Sequence, residues 1–135
     1  MTVRALDHVN IRTADVPGTA RFLADVLGLR RGLAPGVRSM DEGCWLHDTA
    51  GRPIIHIAAH TVAYPSDAAM PFTPATGGGA IHHVALECDD MPGMLARIEA
   101  AGLEAVQFDY PAANLSQLFV RESNGIILEL NFRQP

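Results

Sequence analysis

Leu6-Asp7-His8-Val9, followed by Asp15-Val16-Pro17-Gly18, returns 75 residues later as Ile81-His82-His83-Val84, followed by Asp90-Met91-Pro92-Gly93. The ends of the two halves match as well. Gly51-Arg52-Pro53-Ile54-Ile55-His56-Ile57 aligns with Asn124-Gly125-Ile126-Ile127-Leu128-Glu129-Leu130, an interval of 73 residues. Each half therefore opens with a histidine inside an apolar strand and closes with a metal-capable residue inside another. A duplication can be retained for packing alone. Four such residues at equivalent places suggest that a site is retained with it.

Working outward, residues 3–12 read as a strand in which Val9 and Ile11 alternate with His8, Asn10 and Arg12. Asp15 suits a helix N-cap, with Pro17 in the first turn. Phe22, Leu23, Val26 and Leu27 form a helical stripe that Gly28 ends. Extended segments follow near 29–33, 37–48 and 53–60, broken by Pro35-Gly36 and by a turn at Thr49-Ala50-Gly51. The second half repeats this order: a strand over 80–88, a helix from Pro92 to Ala101 stopped by Gly102, and strands near 103–108, 115–121 and 126–132, with Ser123-Asn124-Gly125 as the last turn. The expected class is α+β: two tandem βαβββ modules whose curved mixed sheets form an open barrel-like cleft with the helices outside. One domain is expected over 1–135, with a first module at about 1–60, a second at about 80–135 and a linker over 61–79 carrying three prolines and Gly77-Gly78-Gly79.

The chain has 135 residues, 48% of them hydrophobic and 19% charged, enough for a real core and unlike a disordered composition. A net charge of −5 without any Lys/Arg cluster argues against nucleic acid and anionic membranes as partners. The apolar runs are too short to cross a bilayer, and strand-like sequence from about residue 4 leaves no room for a signal peptide. Cys44 and Cys88 form no metal or disulfide pattern, which fits a reducing cytoplasm.

Strand side chains alternate between faces, so the repeat assigns them. If Val9 and Ile11, Val84 and Leu86, Ile55 and Ile57, and Leu128, Leu130 and Phe132 pack on the helices, then His8, His83, His56 and Glu129 all point the other way. A slip of one residue would bury the polar set, so the register is strongly specified. Three imidazoles and a carboxylate on one concave surface make a nitrogen/oxygen site for a first-row divalent metal, and a carboxylate between Leu128 and Leu130 needs a cation or donors. Taken singly, each of the four is better read as a satisfied core group. Gln117, Phe119 and Asn10 share this parity and are candidate substrate contacts, with Cys44 and Leu46 as the first-half counterparts of Gln117 and Phe119 and with Trp45 assigned to the core. His82 points to the other face. Arg12, Glu87 and Asn131 suit either a supporting shell or the rim.

Leu6-Asp7-His8-Val9-Asn10-Ile11, Phe22-Leu23-Ala24-Asp25-Val26-Leu27-Gly28-Leu29, His82-His83-Val84-Ala85-Leu86 and Asn124-Gly125-Ile126-Ile127-Leu128-Glu129-Leu130 together resemble the vicinal oxygen chelate superfamily, across essentially the whole chain. That superfamily includes glyoxalase I, extradiol dioxygenases and bleomycin-binding proteins. The resemblance implies metal ligands at His8, His56, His83 and Glu129, for Fe, Mn, Ni or Zn, with Glu129 and His56 also as catalytic groups. Many relatives carry Glu or Gln where His56 stands. Four ligands leave two adjacent positions for vicinal oxygens and imply lyase or isomerase chemistry. If His56 is instead a base or supporting group, His8, His83 and Glu129 form a facial triad, as in an Fe(II) extradiol-type dioxygenase. A metal-free binding protein of the bleomycin type is the third reading. The resemblance further implies a small-molecule substrate and a homodimer, with the site inside one chain or shared between two.

Overall fold

A computed structural model describes residues 1–34 and 37–134 and divides them into two compact units, Met1–Pro74 and Ala75–Pro135. The expected break at Pro35-Gly36 lies outside the described residues. The first unit runs β1 (Val9–Thr13), α1 (Val16–Arg21), β2 (Arg30–Leu33), β3 (Gly43–His47) and β4 (Pro53–Ala59), with α1 prolonged by a π-helical turn at Phe22–Val26. The second runs β5 (Val84–Cys88), α2 (Met91–Ala100), β6 (Ala105–Tyr110), β7 (Leu115–Arg121) and β8 (Ile127–Arg133). The class is α+β as expected. Each unit holds one open four-stranded mixed sheet, ordered β1-β4-β3-β2 or β5-β8-β7-β6, in which only the first and last strands of the unit pair in parallel.

The two helices start by the same device. Asp15 accepts a hydrogen bond from the Gly18 amide at 2.9 Å, and Asp90 accepts one from Gly93 at 3.1 Å. A Cβ on either glycine would fall 2.0 Å from the capping carboxylate, so Asp-x-Pro-Gly recurs because the cap occupies the space of a side chain. The core follows the expected alternation. Ile11, Leu23, Ile55 and Ile57 are buried in the first unit, and Ile98, Leu118, Leu128 and Leu130 in the second.

Three expectations need correction. Strand pairing begins only at Val9↔Ile55 and Val84↔Leu128, so residues 3–8 and 80–83 are not strand, and His8 and His83 sit just ahead of their strands. The segment over 37–48 pairs only from Gly43. The repeat interval is also not uniform. Trp45 faces His56 as Phe119 faces Glu129, an interval of 74 on the inner strand against 73 on the last one, because a bulge beside Leu46/His47 leaves Ile54 as an extra residue on β4. Trp45 is therefore the counterpart of Phe119 and shares the face of His56, while Cys44 and Leu46 are fully buried in the core.

The turn before each last strand shows the interval of 74 directly. Asp48 Oδ1 accepts from the amides of Ala50 (3.0 Å) and Arg52 (2.9 Å); Glu122 Oε1 accepts from those of Asn124 (2.8 Å) and Ile126 (3.1 Å). Gly51 (φ 79°) and Gly125 (φ 85°) take the left-handed position in each. Asp48 is part-buried, and its partners, led by the Arg52 amide, hold its carboxyl below the usual value. Glu122 is 2% exposed and also accepts from Asn124 Nδ2. Glu122→Ala is expected to cost about 2 kcal/mol, since part-buried amide donors lose a charged acceptor. Urea unfolding checks this, and Asp48→Ala, where water replaces the carboxylate, should shift the midpoint less.

Candidate functional site

In the second unit β8 presents Glu129 beside Phe119 on β7 and Ala85 on β5, with Asn131 and Gln117 paired one row further along the same face. Glu129 is 12% exposed, so its carboxylate needs donors. Gln117 Nε2 donates to Oε1 at 2.8 Å and Asn131 Nδ2 donates to the same oxygen at 2.9 Å. Gln117 also donates to Asn131 Oδ1 at 2.9 Å, closing a triangle of amides beneath the carboxylate. Oε2 is left facing His83 Nε2 at 3.1 Å, and His83 Nδ1 lies 2.9 Å from His82 Nδ1. Phe119 meets the His83 ring edge to face at 6.1 Å, and Phe108 on β6 meets Phe119 likewise at 5.9 Å.

In the first unit β4 presents His56 between Asn10 on β1 and Trp45 on β3. An imidazole can be held by its faces as well as its nitrogens. Trp45 stacks on His56 with centroids 4.5 Å apart and planes 12° from parallel, and Tyr64 stacks at 6.1 Å and 8°. Asn10 Nδ2 donates to His56 Nδ1 and to the Tyr64 hydroxyl, each at 2.9 Å. His8 touches the Trp45 edge at 4.8 Å, and its Nδ1 contacts Asp7 Oδ2 at 2.5 Å.

The stack continues through a buried cation. Arg12, 7% exposed, lies over the Tyr64 ring at 4.4 Å and the Phe72 ring at 4.8 Å. Its guanidinium pairs with Asp67 at 3.2 Å and donates to the carbonyls of His60 and Val62. Arg12 thereby pins residues 60–72, including a short 3-10 turn at Pro65–Ala68, against the sheet. Part of the expected linker thus belongs to the first unit.

His56 is held below its ordinary value of 6.5, by burial first and then by the charge of His8. Between the folded value and 6.5 the unfolded chain binds the additional proton, so this contribution to stability is complete above 6.5 and is lost as pH falls below it. The melting temperature of the metal-free protein is expected to drop between about pH 7 and pH 5, and to drop less in His56→Gln, as scanning calorimetry at several pH values would show.

The sequence-derived candidates thus form two groups, each within its own unit: His8, His56 and Asn10, and His83, Glu129, Gln117 and Phe119. Asn10 and Gln117, expected to touch substrate, direct their amides to His56 and Glu129. Tyr64 was not anticipated; it lies in a proline-rich stretch with no periodicity, and only tertiary packing brings it to His56. Trp45 lies on the face of His56 and not in the core, because the bulge beside Leu46/His47 shifts β3 by one residue against β4.

The donor chemistry suits a divalent ion in part. A 3.1 Å separation of His83 Nε2 and Glu129 Oε2 is that of neighbouring ligands with bonds of about 2.1 Å to one ion. Asp7 on His8 Nδ1, and the amides on Glu129 Oε1, are the outer contacts that orient such ligands and leave His8 Nε2 and Glu129 Oε2 to bind. His56 differs: with Asn10 donating to Nδ1, the neutral ring carries its proton on Nε2. Among the described residues no three His, Cys, Asp or Glu side chains are grouped so as to hold an ion; the donors stand in pairs.

A family model described as the Glyoxalase/Bleomycin resistance protein/Dioxygenase superfamily matches residues 7–120. No curated protein matches the chain. Among solved structures, an integron cassette protein from the mobile metagenome of V. cholerae is similar with a TM-score of 0.70 and 17% identity, over 99% of this chain and 98% of that one. TioX from Micromonospora sp. ML1 is similar at 24% identity and a TM-score of 0.66, over 94% and 98%. A lactoylglutathione lyase from Agrobacterium tumefaciens is similar at 18% identity and 0.65, over 97% and 95%. These likenesses bear on the fold. Among the described residues no helix is long and apolar enough to cross a membrane.

Proposed function

The chain belongs to the Glyoxalase/Bleomycin resistance protein/Dioxygenase superfamily, and from that premise we propose that it is a divalent-metal-dependent enzyme acting on a small organic substrate with two vicinal oxygens. The observation that supports this reading is the presentation of Glu129: one oxygen fixed by Gln117 and Asn131, the other 3.1 Å from His83 Nε2. A largely buried carboxylate with one oxygen fixed by amides and the other beside a histidine nitrogen has the spacing and outer contacts of two neighbouring ligands. His8 and His56 in the first unit and His83 and Glu129 in the second are the residues proposed as ligands, and the ion would be Fe, Mn, Ni or Zn.

When bound, such an ion stabilises negative charge that develops on the substrate oxygens. The chain's own residues do the rest. Gln117 and Asn131 keep Glu129 Oε2 aimed outward, and Trp45 and Tyr64 hold the His56 ring in plane. In the lyase or isomerase reading a proton would leave the carbon next to the substrate's vicinal oxygens, and Glu129 and His56 are the groups assigned to receive and return it. A homodimer in the cytoplasm is part of the same proposal.

A second reading, an Fe(II) ring-cleaving dioxygenase, is favoured by one contact. The Asn10 amide on His56 Nδ1 withdraws His56 from the donor set and leaves two histidines and a carboxylate, the facial-triad composition. Anaerobic purification, metal analysis and reconstitution with Fe(II), Mn(II), Ni(II) or Zn(II) separate the readings. Oxygen-independent turnover of a hemithioacetal, or exchange of a proton next to a carbonyl, supports the lyase or isomerase. Oxygen uptake with catechols under Fe(II) alone rejects it. A chain that takes up no metal is a binding protein of the superfamily's third kind.

A further inference from the structure

Three large apolar side chains on β6, Val106, Phe108 and Tyr110, each lie about half exposed and alternate along one face of an edge strand. Edge strands normally carry charge or proline there, because an apolar edge invites association. Pairing places the stripe on the face of the carboxylate: Val106 pairs with Phe119, which pairs with Glu129, and Phe108 pairs with Gln117, which pairs with Asn131. The rings are continuous with the donors, since Phe108 meets Phe119 edge to face and Phe119 meets His83 in the same way.

The fold does not require these side chains. With Trp45 matched to Phe119, the position equivalent to Val106 in the first unit is Gly32, Ala34 follows two residues on, just past the end of β2, and that sheet forms with the same strand order. A feature present in one half of a duplication, exposed, and joined ring by ring to a histidine–carboxylate pair belongs to what the pair binds.

We propose that the β6 stripe is the wall against which the substrate's body lies, and that the substrate is an aryl compound whose vicinal oxygens are taken at His83 and Glu129. This rests on the metal-site reading above. The first contact is with Phe119, beside the donors, and the second is with Phe108, about 10 Å from β8 at two strand spacings, a reach that suits a substituted phenyl ring. Ring-edge packing of this kind adds to area burial, so replacing an aryl group by methyl removes both.

The test uses two probes with the same chelating head, benzohydroxamate and acetohydroxamate, titrated calorimetrically into the Zn(II)-loaded full chain. The wild type is expected to bind the aryl probe at least about 10-fold more tightly after the difference in octanol partitioning is subtracted, and Phe108→Ala and Phe119→Ala should bring the ratio towards one. Phe108 is half exposed, so its removal leaves the core untouched. Equal affinity for both probes in the wild type, or an unchanged ratio in both variants, overturns the aryl wall while leaving the metal site standing. Failure of the chain to take up Zn(II), or to bind either probe, overturns the metal reading and the wall with it. An unchanged ratio accompanied by loss of self-association in Phe108→Ala means that the stripe is a contact between copies, and the proposal falls.

Discussion

Glu129→Gln is expected to lower divalent-metal affinity by about 100-fold or more while leaving the fold intact. The substitution is close to isosteric. Gln117 and Asn131 can still donate to the remaining carbonyl oxygen, so the amide triangle survives. What is lost is the anionic oxygen at the position of Oε2, 3.1 Å from His83 Nε2, where a neutral NH₂ with no lone pair to give would stand instead. Loss of a group that only orients a ligand typically costs 10- to 100-fold, so loss of the ligand charge itself should reach at least the upper end of that range. Titration of Mn(II) or Zn(II) into wild type and variant gives the ratio directly, with circular dichroism as the control for folding. Gln117→Leu, which removes one support of Oε1, should give an intermediate loss. Equal affinities in wild type and Glu129→Gln would falsify the metal role of Glu129.

Arg12→Met is expected to lower stability by about 3 kcal/mol, the largest single effect outside the core. Methionine keeps an apolar stem between the Tyr64 and Phe72 rings, so the variant tests the charge and its hydrogen bonds more than the volume. Without the guanidinium, the carbonyls of His60 and Val62 lose their donor and Asp67 loses its cation. Asp67 is one-third exposed and can turn to water, which places the cost at the lower end of the range for a broken buried pair. Asp67→Asn should cost less, because Arg12 keeps both carbonyls. Trp45 is the only tryptophan, so its emission reports on the stack it forms with His56 and Tyr64. Release of residues 60–72 in Arg12→Met should alter that emission before global unfolding. A chemical melt within about 0.5 kcal/mol of the wild type, as for an ordinary surface change, would show that the clamp contributes nothing.

The architecture was legible because each of its signals is local. Asp15 and Asp90 announce their helices through a cap that reaches three residues forward, and Ile55, Ile57, Leu128 and Leu130 announce their strands by alternation. The parity that put His56 and Glu129 opposite the core needed nothing beyond the period of a strand, and both lie on the face away from Ile55, Ile57, Leu128 and Leu130. The strand starts at residues 3 and 80 were misjudged because pairing depends on where the partner strand begins, which nothing in Leu6 or Ile81 reveals. The face of Trp45 is not legible in the sequence, because a repeat read without gaps carries one interval through β3 and β4. The extra residue at Ile54 shifts one strand against the other, and a shift of one exchanges the faces.

By itself, then, the sequence determined the duplication, the α+β class, the order of elements and the residues that could bear ligands, since all of these rest on periodicity and on contacts a few residues long. Only the tertiary structure decided how those residues are held. Glu129 is oriented by amides on two strands, and His56 lies between Trp45 and Tyr64, with Tyr64 backed by a cation buried under residues 60–72. These contacts join positions up to 60 residues apart, from Arg12 to Phe72. They depend on the packing of whole elements, and a local pattern carries no record of that.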